Sequence, residues 1–329
     1  MENIALLSKD QRNELSRETA IRRRISNAVA EKDFWVCWSL AKLFDDPDIA
    51  PKILFKGGTS LSKVFGLIER FSEDIDLILD WREIATEDPQ AKRSRTKQDH
   101  FNKNLQTAAQ DYIRSRLLPQ CRRLLAPVVQ VDLDEQDPHV IAIQYPAAFS
   151  ESYIRPEIRL EIGPLAIWTP NESYEISPYC AEEFPALFTR KTCHVQCIKA
   201  ERTFWEKATI LHHEAHRPEG SQQPERYSRH YYDLARLADS PVKERAFGDL
   251  ALLKSVVASK DRFYPRGWAR YDLAQPGTMR LTPPDHILKG LERDYEQMAI
   301  MIYGARPPFD ELMHQIRTLE LAINAIRTS

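Results

Sequence analysis

The amino-acid sequence predicts an α+β protein, a mixed α/β sheet with its own helices followed by a helical domain. Three observations predict it. Short β-branched runs bounded by turn residues recur between residues 52 and 198. A long stretch of helical periodicity precedes them, and beyond residue 198 helical patterning takes over.

Element by element, Asp10 to Phe44 reads as one or two helices, with Arg22 to Arg24 exposed and Phe34, Trp35, Trp38 and Leu43 available for burial. Asp45, Asp46 and Pro47 form the turn that ends this section. Lys52 to Phe55 is a short apolar run, a strand that enters a glycine turn at Lys56, Gly57 and Gly58. Glu73 to Leu79 alternates as a strand does, with Ile75, Leu77 and Leu79 on one face and Asp74 and Asp76 on the other. Thr86 to Leu118 is charged and helix-forming, with RSRTKQD as a candidate mobile excursion. Pro127 to Leu133, Val140 to Tyr145 and Glu157 to Ile162 are short strands, which suggests antiparallel additions to the sheet. Gly163 to Pro185 holds four prolines and reads as a wrapping loop, and Thr192 to Ile198 as the last strand. Helices then run to the end, closing with Pro284 to Tyr303 and Phe309 to Ile326. The boundary falls near residue 198, giving a sheet domain with N-terminal helices over 1–198 and a helical domain over 199–329.

Composition sets bounds on function. A chain of 329 residues with 43% hydrophobic content has ample material for a core. Five cysteines, odd in number and without paired C-x-x-C spacing, indicate neither a disulfide frame nor a structural zinc site. The polar N-terminus and the lack of a long apolar run point to a cytoplasmic protein with no membrane contact. A net charge of -2 excludes a uniformly basic nucleic-acid binder. Local clusters remain at Arg22 to Arg24, at Lys92, Arg93, Arg95 and Lys97, and at Arg114, Arg116, Arg122 and Arg123, each read as a solvated helix face or a nucleic-acid contact.

The chemistry is concentrated in KGGTSLSKVFGLIERFSEDIDL, residues 56 to 77. Glycine lets backbone approach a ligand with its N–H groups exposed, and Thr59 and Ser60 add hydroxyl donors where a helix begins. Asp74 and Asp76 share a strand face, where two like charges repel unless an oxygen-seeking divalent cation lies between them. Strand, GG turn, short helix and a strand with Asp-x-Asp, in that order, resemble the nucleotidyltransferase superfamily built on the DNA polymerase beta fold. The fuller wording is similar to the AbiEii/AbiGii toxin family within it, and EKDFWVCWSLAKLF from Glu31 onward is similar to that family's leading helix.

A third acid completes such a site. Glu157 and Glu161 both lie on the polar face of the strand PEIRLEIG, and the resemblance favours Glu161, between Leu160 and Ile162. In IKAERTFWEKATILHHEAHR, Phe204, Ala208, Leu211 and Ala215 make a helical apolar stripe with Lys207 on its flank, a position where lysine ordinarily snorkels. The resemblance instead makes Lys207 a triphosphate contact with Glu206 beside it. RYSRHYYDLARLAD is similar to the family's Arg-Asp-x-x-Asp helix: Arg229 and Asp233 match, and His230 stands where the first Asp is common. An ion pair between Arg229 and Asp233, four residues apart, is the plain alternative. His212 and His216 have the spacing of two zinc ligands, which raises a zinc hydrolase as a rival, but Glu214 is misplaced for an HExxH motif. These histidines are expected to face solvent or a nucleotide.

The resemblance implies a nucleotidyltransferase that moves an NMP from an NTP to an acceptor and releases pyrophosphate. Asp74, Asp76 and Glu161 would hold two Mg²⁺ ions, Lys56, Gly57, Gly58, Thr59, Ser60 and Arg229 would bind the nucleotide phosphates, and Lys207 and Asp233 would complete the catalytic set. It further implies a toxin of a toxin–antitoxin or abortive-infection system, with the 3′ end of tRNA as acceptor, a block of translation as outcome and a cognate antitoxin as partner. A nucleotidyltransferase that modifies a small molecule or a protein side chain would use the same acids, and a non-catalytic nucleotide-binding module would not need all three.

Overall fold

A computed structural model of the chain describes residues 1–149, Glu151 and 154–327. It begins with three helices, α1 (Glu2–Ala5), α2 (Lys9–Arg23) and α3 (Asn27–Asp45). A reciprocal capping box starts α2, in which the Ser8 hydroxyl accepts from the Gln11 N–H at 3.3 Å and the Gln11 side chain accepts from the Ser8 N–H at 3.1 Å. Arg24 ends it in the left-handed conformation, and the Ser26 hydroxyl caps α3. Every residue from Ala28 to Ala41 is buried, so α3 is a central helix enclosed on all sides.

The sheet has seven strands: β1 (Ile53–Lys56), β2 (Asp74–Leu79), β3 (Gln130–Leu133), β4 (Val140–Gln144), β5 (Glu157–Gly163), β6 (Asn171–Ile176) and β7 (Cys193–Ile198). Their order is β3-β4-β5-β2-β1-β7-β6. The sheet is mixed: β2 runs parallel to β5 and β1 parallel to β7, and the remaining pairs are antiparallel. Between the strands lie α4 (Gly57–Lys63), α5 (Arg95–Tyr112), α6 (Leu118–Leu125) and α7 (Tyr179–Glu183).

Two expectations change. RSRTKQD is no excursion, because Ser94 accepts from the Lys97 N–H and starts α5 at Arg95. The segment Gly163 to Pro185 contains the strand β6 and the helix α7 instead of a plain loop. β6 is an edge strand, mostly solvated, so NESYEI carries no apolar alternation to announce it.

After β7 come α8 (Ala200–Glu214), α9 (Ser228–Ala238), α10 (Val242–Phe247), α11 (Leu250–Phe263), α12 (Asp285–Gln297) and α13 (Phe309–Asn324). By its contacts the chain divides into two units, one of residues 1–64 and 71–198, the other of Phe65–Arg70 with residues 199–329. The last two residues of the second range lie outside the described ones. In the second unit α8 packs on α9, α10 and α11, while α9 also meets α12 and α13. Phe65–Arg70 joins this unit through backbone: the Tyr303 N–H donates to the Glu69 carbonyl at 3.0 Å, and Arg70 bridges to Ile302. Gly304 is required there, since a Cβ would come within 2.2 Å of the Glu69 carboxylate. All five cysteines are buried free thiols. Among the described residues no helix is long and apolar enough to cross a membrane.

Candidate active site

In the first unit the site is built by strand register. Residues facing each other on adjacent strands point to the same side of a sheet. β1 places Lys56 opposite Asp76, and β5 places Glu161 opposite Asp76 and Arg159 opposite Asp74. Lys56, Asp76 and Glu161 therefore form one row across three neighbouring strands. Glu157 lies four residues earlier on β5, 3.5 Å from Arg159, so the carboxylate beside Asp76 is that of Glu161.

The glycine turn meets this row directly. Gly57 has φ +81°, in the left-handed region, and a Cβ on it would come within 1.9 Å of Asp76 Oδ2. Only glycine lets the backbone lie against that carboxylate. Gly58 follows in α4. Thr59 and Ser60, sought as phosphate donors, are both buried. The Thr59 hydroxyl donates to the carbonyl of Asp74, and Ser60 Oγ donates to the Gly57 carbonyl at 2.8 Å. These hydroxyls tie α4 to β2 and close the turn, leaving backbone N–H groups as the donors the turn can offer a phosphate.

Burial first, then the charges of Asp76 and Glu73, raises the Asp74 carboxyl above its ordinary pKa. Lys32 and Arg159 temper this from a distance, their own nitrogens ending on Glu73 at 3.1 Å and Asp134 at 2.6 Å. Crowded carboxylates with only oxygen atoms to offer are suited to a hard divalent cation. Among the described residues no three His, Cys, Asp or Glu side chains already converge as a metal cage.

The second unit holds a different constellation. Asp233 is fully buried and is gripped by Arg70 through Nε at 2.6 Å and Nη2 at 2.7 Å, and by Lys207 Nζ at 2.6 Å. Burial opposes ionisation of Asp233, yet the two cations hold its carboxyl well below the usual range. Lys207 does not snorkel: it is buried, and its ammonium ends on Asp233. Arg229 acts on Lys207 through space, so the ion-pair partners of Asp233 are Arg70 and Lys207 and not Arg229. His230 is held neutral, its pKa pushed far down by burial and then by Lys207 and Arg229.

The zinc rival finds no footing. His212 is buried, with Nε2 2.9 Å from the Arg270 carbonyl and Nδ1 accepting the Arg280 N–H at 3.1 Å. Both ring nitrogens are thus engaged by backbone, and the residue staples two segments of chain instead of facing solvent. Glu214 is buried and bound by two Arg217 nitrogens at 2.7 Å each.

The family model described as the nucleotidyl transferase AbiEii toxin of type IV toxin–antitoxin systems matches residues 38–315. The chain belongs to the AbiEii nucleotidyltransferase toxin family. Among solved structures, it is similar at 15% identity to MenT4, a nucleotidyltransferase toxin from Mycobacterium tuberculosis, over 95% of this chain and 99% of that one, with a TM-score of 0.43. A putative nucleotidyltransferase from H. pylori is likewise 15% identical, over 90% and 94% of the two chains, with a TM-score of 0.42. No curated protein matches.

In this AbiEii toxin the residue that sequence reasoning missed is Arg70, four residues before Asp74 and bidentate on Asp233. Nothing in the local pattern separates it from a surface arginine; only the path of Phe65–Arg70 into the second unit does. A second omission is Lys63, at the end of α4, which is paired with Asp33 at 2.7 Å.

Proposed function

We propose that this AbiEii toxin is a cytoplasmic, Mg²⁺-dependent enzyme that transfers an NMP from an NTP to RNA, the 3′ end of tRNA being the acceptor. The observation that carries the reading is the row Lys56, Asp76 and Glu161, with the backbone of Gly57 against the Asp76 carboxylate. Asp74, Asp76 and Glu161 would hold two Mg²⁺ ions, and Lys56 with the backbone of Gly57, Gly58, Thr59 and Ser60 would meet the nucleotide phosphates. Bound there, Mg²⁺ would supply acidity to the acceptor hydroxyl and neutralise charge on departing pyrophosphate. For the second unit the proposal is electrostatic: Arg70, Lys207 and Arg229 outnumber Asp233, and the surplus positive charge suits a polyphosphate, with Lys207 and Arg229 as contacts. Asp233 keeps Lys207 in place. A block of translation would follow from this acceptor, and a cognate antitoxin follows from the type IV toxin–antitoxin family.

The test is direct. Purified toxin is incubated with each labelled NTP, Mg²⁺ and total RNA, and a labelled tRNA-sized band is the expected product. Label on protein or on a small molecule, with none on RNA, would replace the acceptor and leave the transferase reading standing.

A further inference from the structure

Three consecutive residues of α3, Glu31, Lys32 and Asp33, are charged, and none is more than 3% exposed. They lie ahead of the residues the family model matches, which begin at 38. A helix turns about 100° per residue, so three successive side chains leave it in three directions. Each reaches a different segment. Both Glu31 oxygens accept from the Ala148 N–H, at 2.9 and 3.1 Å, and one accepts from Phe149 at 3.2 Å. Lys32 Nζ donates at 3.1 Å to Glu73, the residue before Asp74, and at 3.1 Å to the carbonyl of Arg155, two residues before β5. Glu73 also accepts the Arg155 N–H at 3.1 Å, so one ion pair joins the entry of β2 to the entry of β5. Asp33 binds Lys63, the last residue of α4, at 2.7 Å and the Tyr179 N–H at 2.6 Å.

Apolar residues of similar size would fill this volume without the desolvation cost that buried ions bring, which is commonly several kcal/mol per ion. What apolar residues could not supply is fixed length and direction between named atoms. The segments so tethered are the start of the Asp-x-Asp strand, the entry to the Glu161 strand and the far end of the glycine-turn helix. We propose that Lys32–Glu73 and Asp33–Lys63, with Glu31 as a third tether, form a positioning bracket that sets Asp74 through β2 and sets Gly57 against Asp76 through α4. The inference rests on the proposed metal-binding role of those acids. Members of the bracket touch neither nucleotide nor metal; they act through the residues they hold.

The experiment measures Mn²⁺ binding by calorimetry or electron paramagnetic resonance, together with the Mg²⁺ dependence of kcat. It compares wild-type toxin with the neutral pairs Lys32→Met/Glu73→Gln and Asp33→Asn/Lys63→Met, which leave no buried charge unpaired. Outer-shell changes at metal sites typically cost about 10–100-fold in affinity or activity. Each folded pair is therefore expected to bind Mn²⁺ on the order of tenfold more weakly and to need correspondingly more Mg²⁺. Glu73→Asp keeps the charge and shortens the reach, and it carries the test if a neutral pair does not fold. It too is expected to weaken Mn²⁺ binding, whereas a role limited to satisfying charge would leave the affinity unchanged. Folded variants with wild-type Mn²⁺ affinity overturn the bracket. Wild-type toxin that binds no Mn²⁺ overturns the metal reading itself, and the two failures are thereby distinct.

Discussion

Asp74 and Asp233 are both candidate site carboxylates, one in each unit, and their surroundings are opposite. Asp74 is crowded by Asp76 and Glu73 and is pushed toward protonation, while Asp233 is enclosed by Arg70 and Lys207 and held ionised. The first is surrounded chiefly by other carboxylates, with Lys32 and Arg159 acting only from a distance. The second has its cations built in. The family resemblance offers both as site acids; under the proposed function their neighbours suit Asp74 to binding a cation and Asp233 to positioning Lys207, and substitution should separate the two.

The largest effect is expected at the crowded pair. Asp74→Ala or Asp76→Ala should lower NMP transfer by more than about a hundredfold, with the melting temperature unchanged or raised because a like-charge repulsion is removed. A variant with wild-type transfer under Mg²⁺ would sink the metal assignment.

The opposite signature belongs to Asp233. Asp233→Ala leaves Arg70 and Lys207 buried without their shared carboxylate, and breaking a buried pair this way typically costs about 3–5 kcal/mol. A clear drop in melting temperature is the expected result of a thermal scan, and a variant as stable as wild type would erase the contrast between the two acids.

Lys207→Met is expected to be intermediate. Arg70 still satisfies Asp233 through two hydrogen bonds, so the fold should hold, while transfer falls on the order of a hundredfold. Kinetics on a folded variant decide it, since full activity would return Lys207 to a purely structural role.

A pH titration reads the second unit from another side. Burial lowers the His212 pKa from 6.5 to about 4, so the unfolded chain binds a proton more readily than the native one between these values. The contribution of neutral His212 is full above about pH 6.5 and is lost as pH falls toward 4, on the order of 3 kcal/mol. Stability measured by denaturant should fall across that window in wild type and fall less in His212→Gln.

The smallest effect concerns the acceptor. Arg93 is mostly buried, with Nη2 donating to Glu87 at 3.0 Å and to the Asp88 carbonyl at 2.9 Å, and its guanidinium over the Phe101 ring at 3.9 Å. It orders its own loop. Arg95 and Lys97 of the same cluster are exposed. Arg95→Glu should weaken labelling of RNA severalfold and flatten its decline with salt, without changing Mn²⁺ binding. An unaltered salt dependence would exclude this stretch from the RNA contact.

The sequence by itself determined the sheet strands of the site, the glycine turn and the alternation that puts Asp74 and Asp76 on one face, because each depends on neighbours only a few residues away. It also determined the family, through motifs whose order is local. What it could not determine was anything that depends on register or on long-range pairing. Glu161 and Glu157 are equivalent by period-two alternation, and only the pairing of β5 with β2 sets Glu161 opposite Asp76. The solvated strand β6 has no apolar face to reveal it. Nothing in the local sequence marks Arg70, Lys63 and the triplet Glu31, Lys32, Asp33 as buried, since buried ions are distinguishable from solvated ones only by partners far away in sequence: Asp233, Asp33, the Ala148 and Phe149 amides, Glu73 and Lys63. Local periodicity reports which side of an element a residue occupies; whether that side meets water, a cation or another carboxylate is decided by tertiary structure, because desolvation and Coulomb interactions act across space and not along the chain.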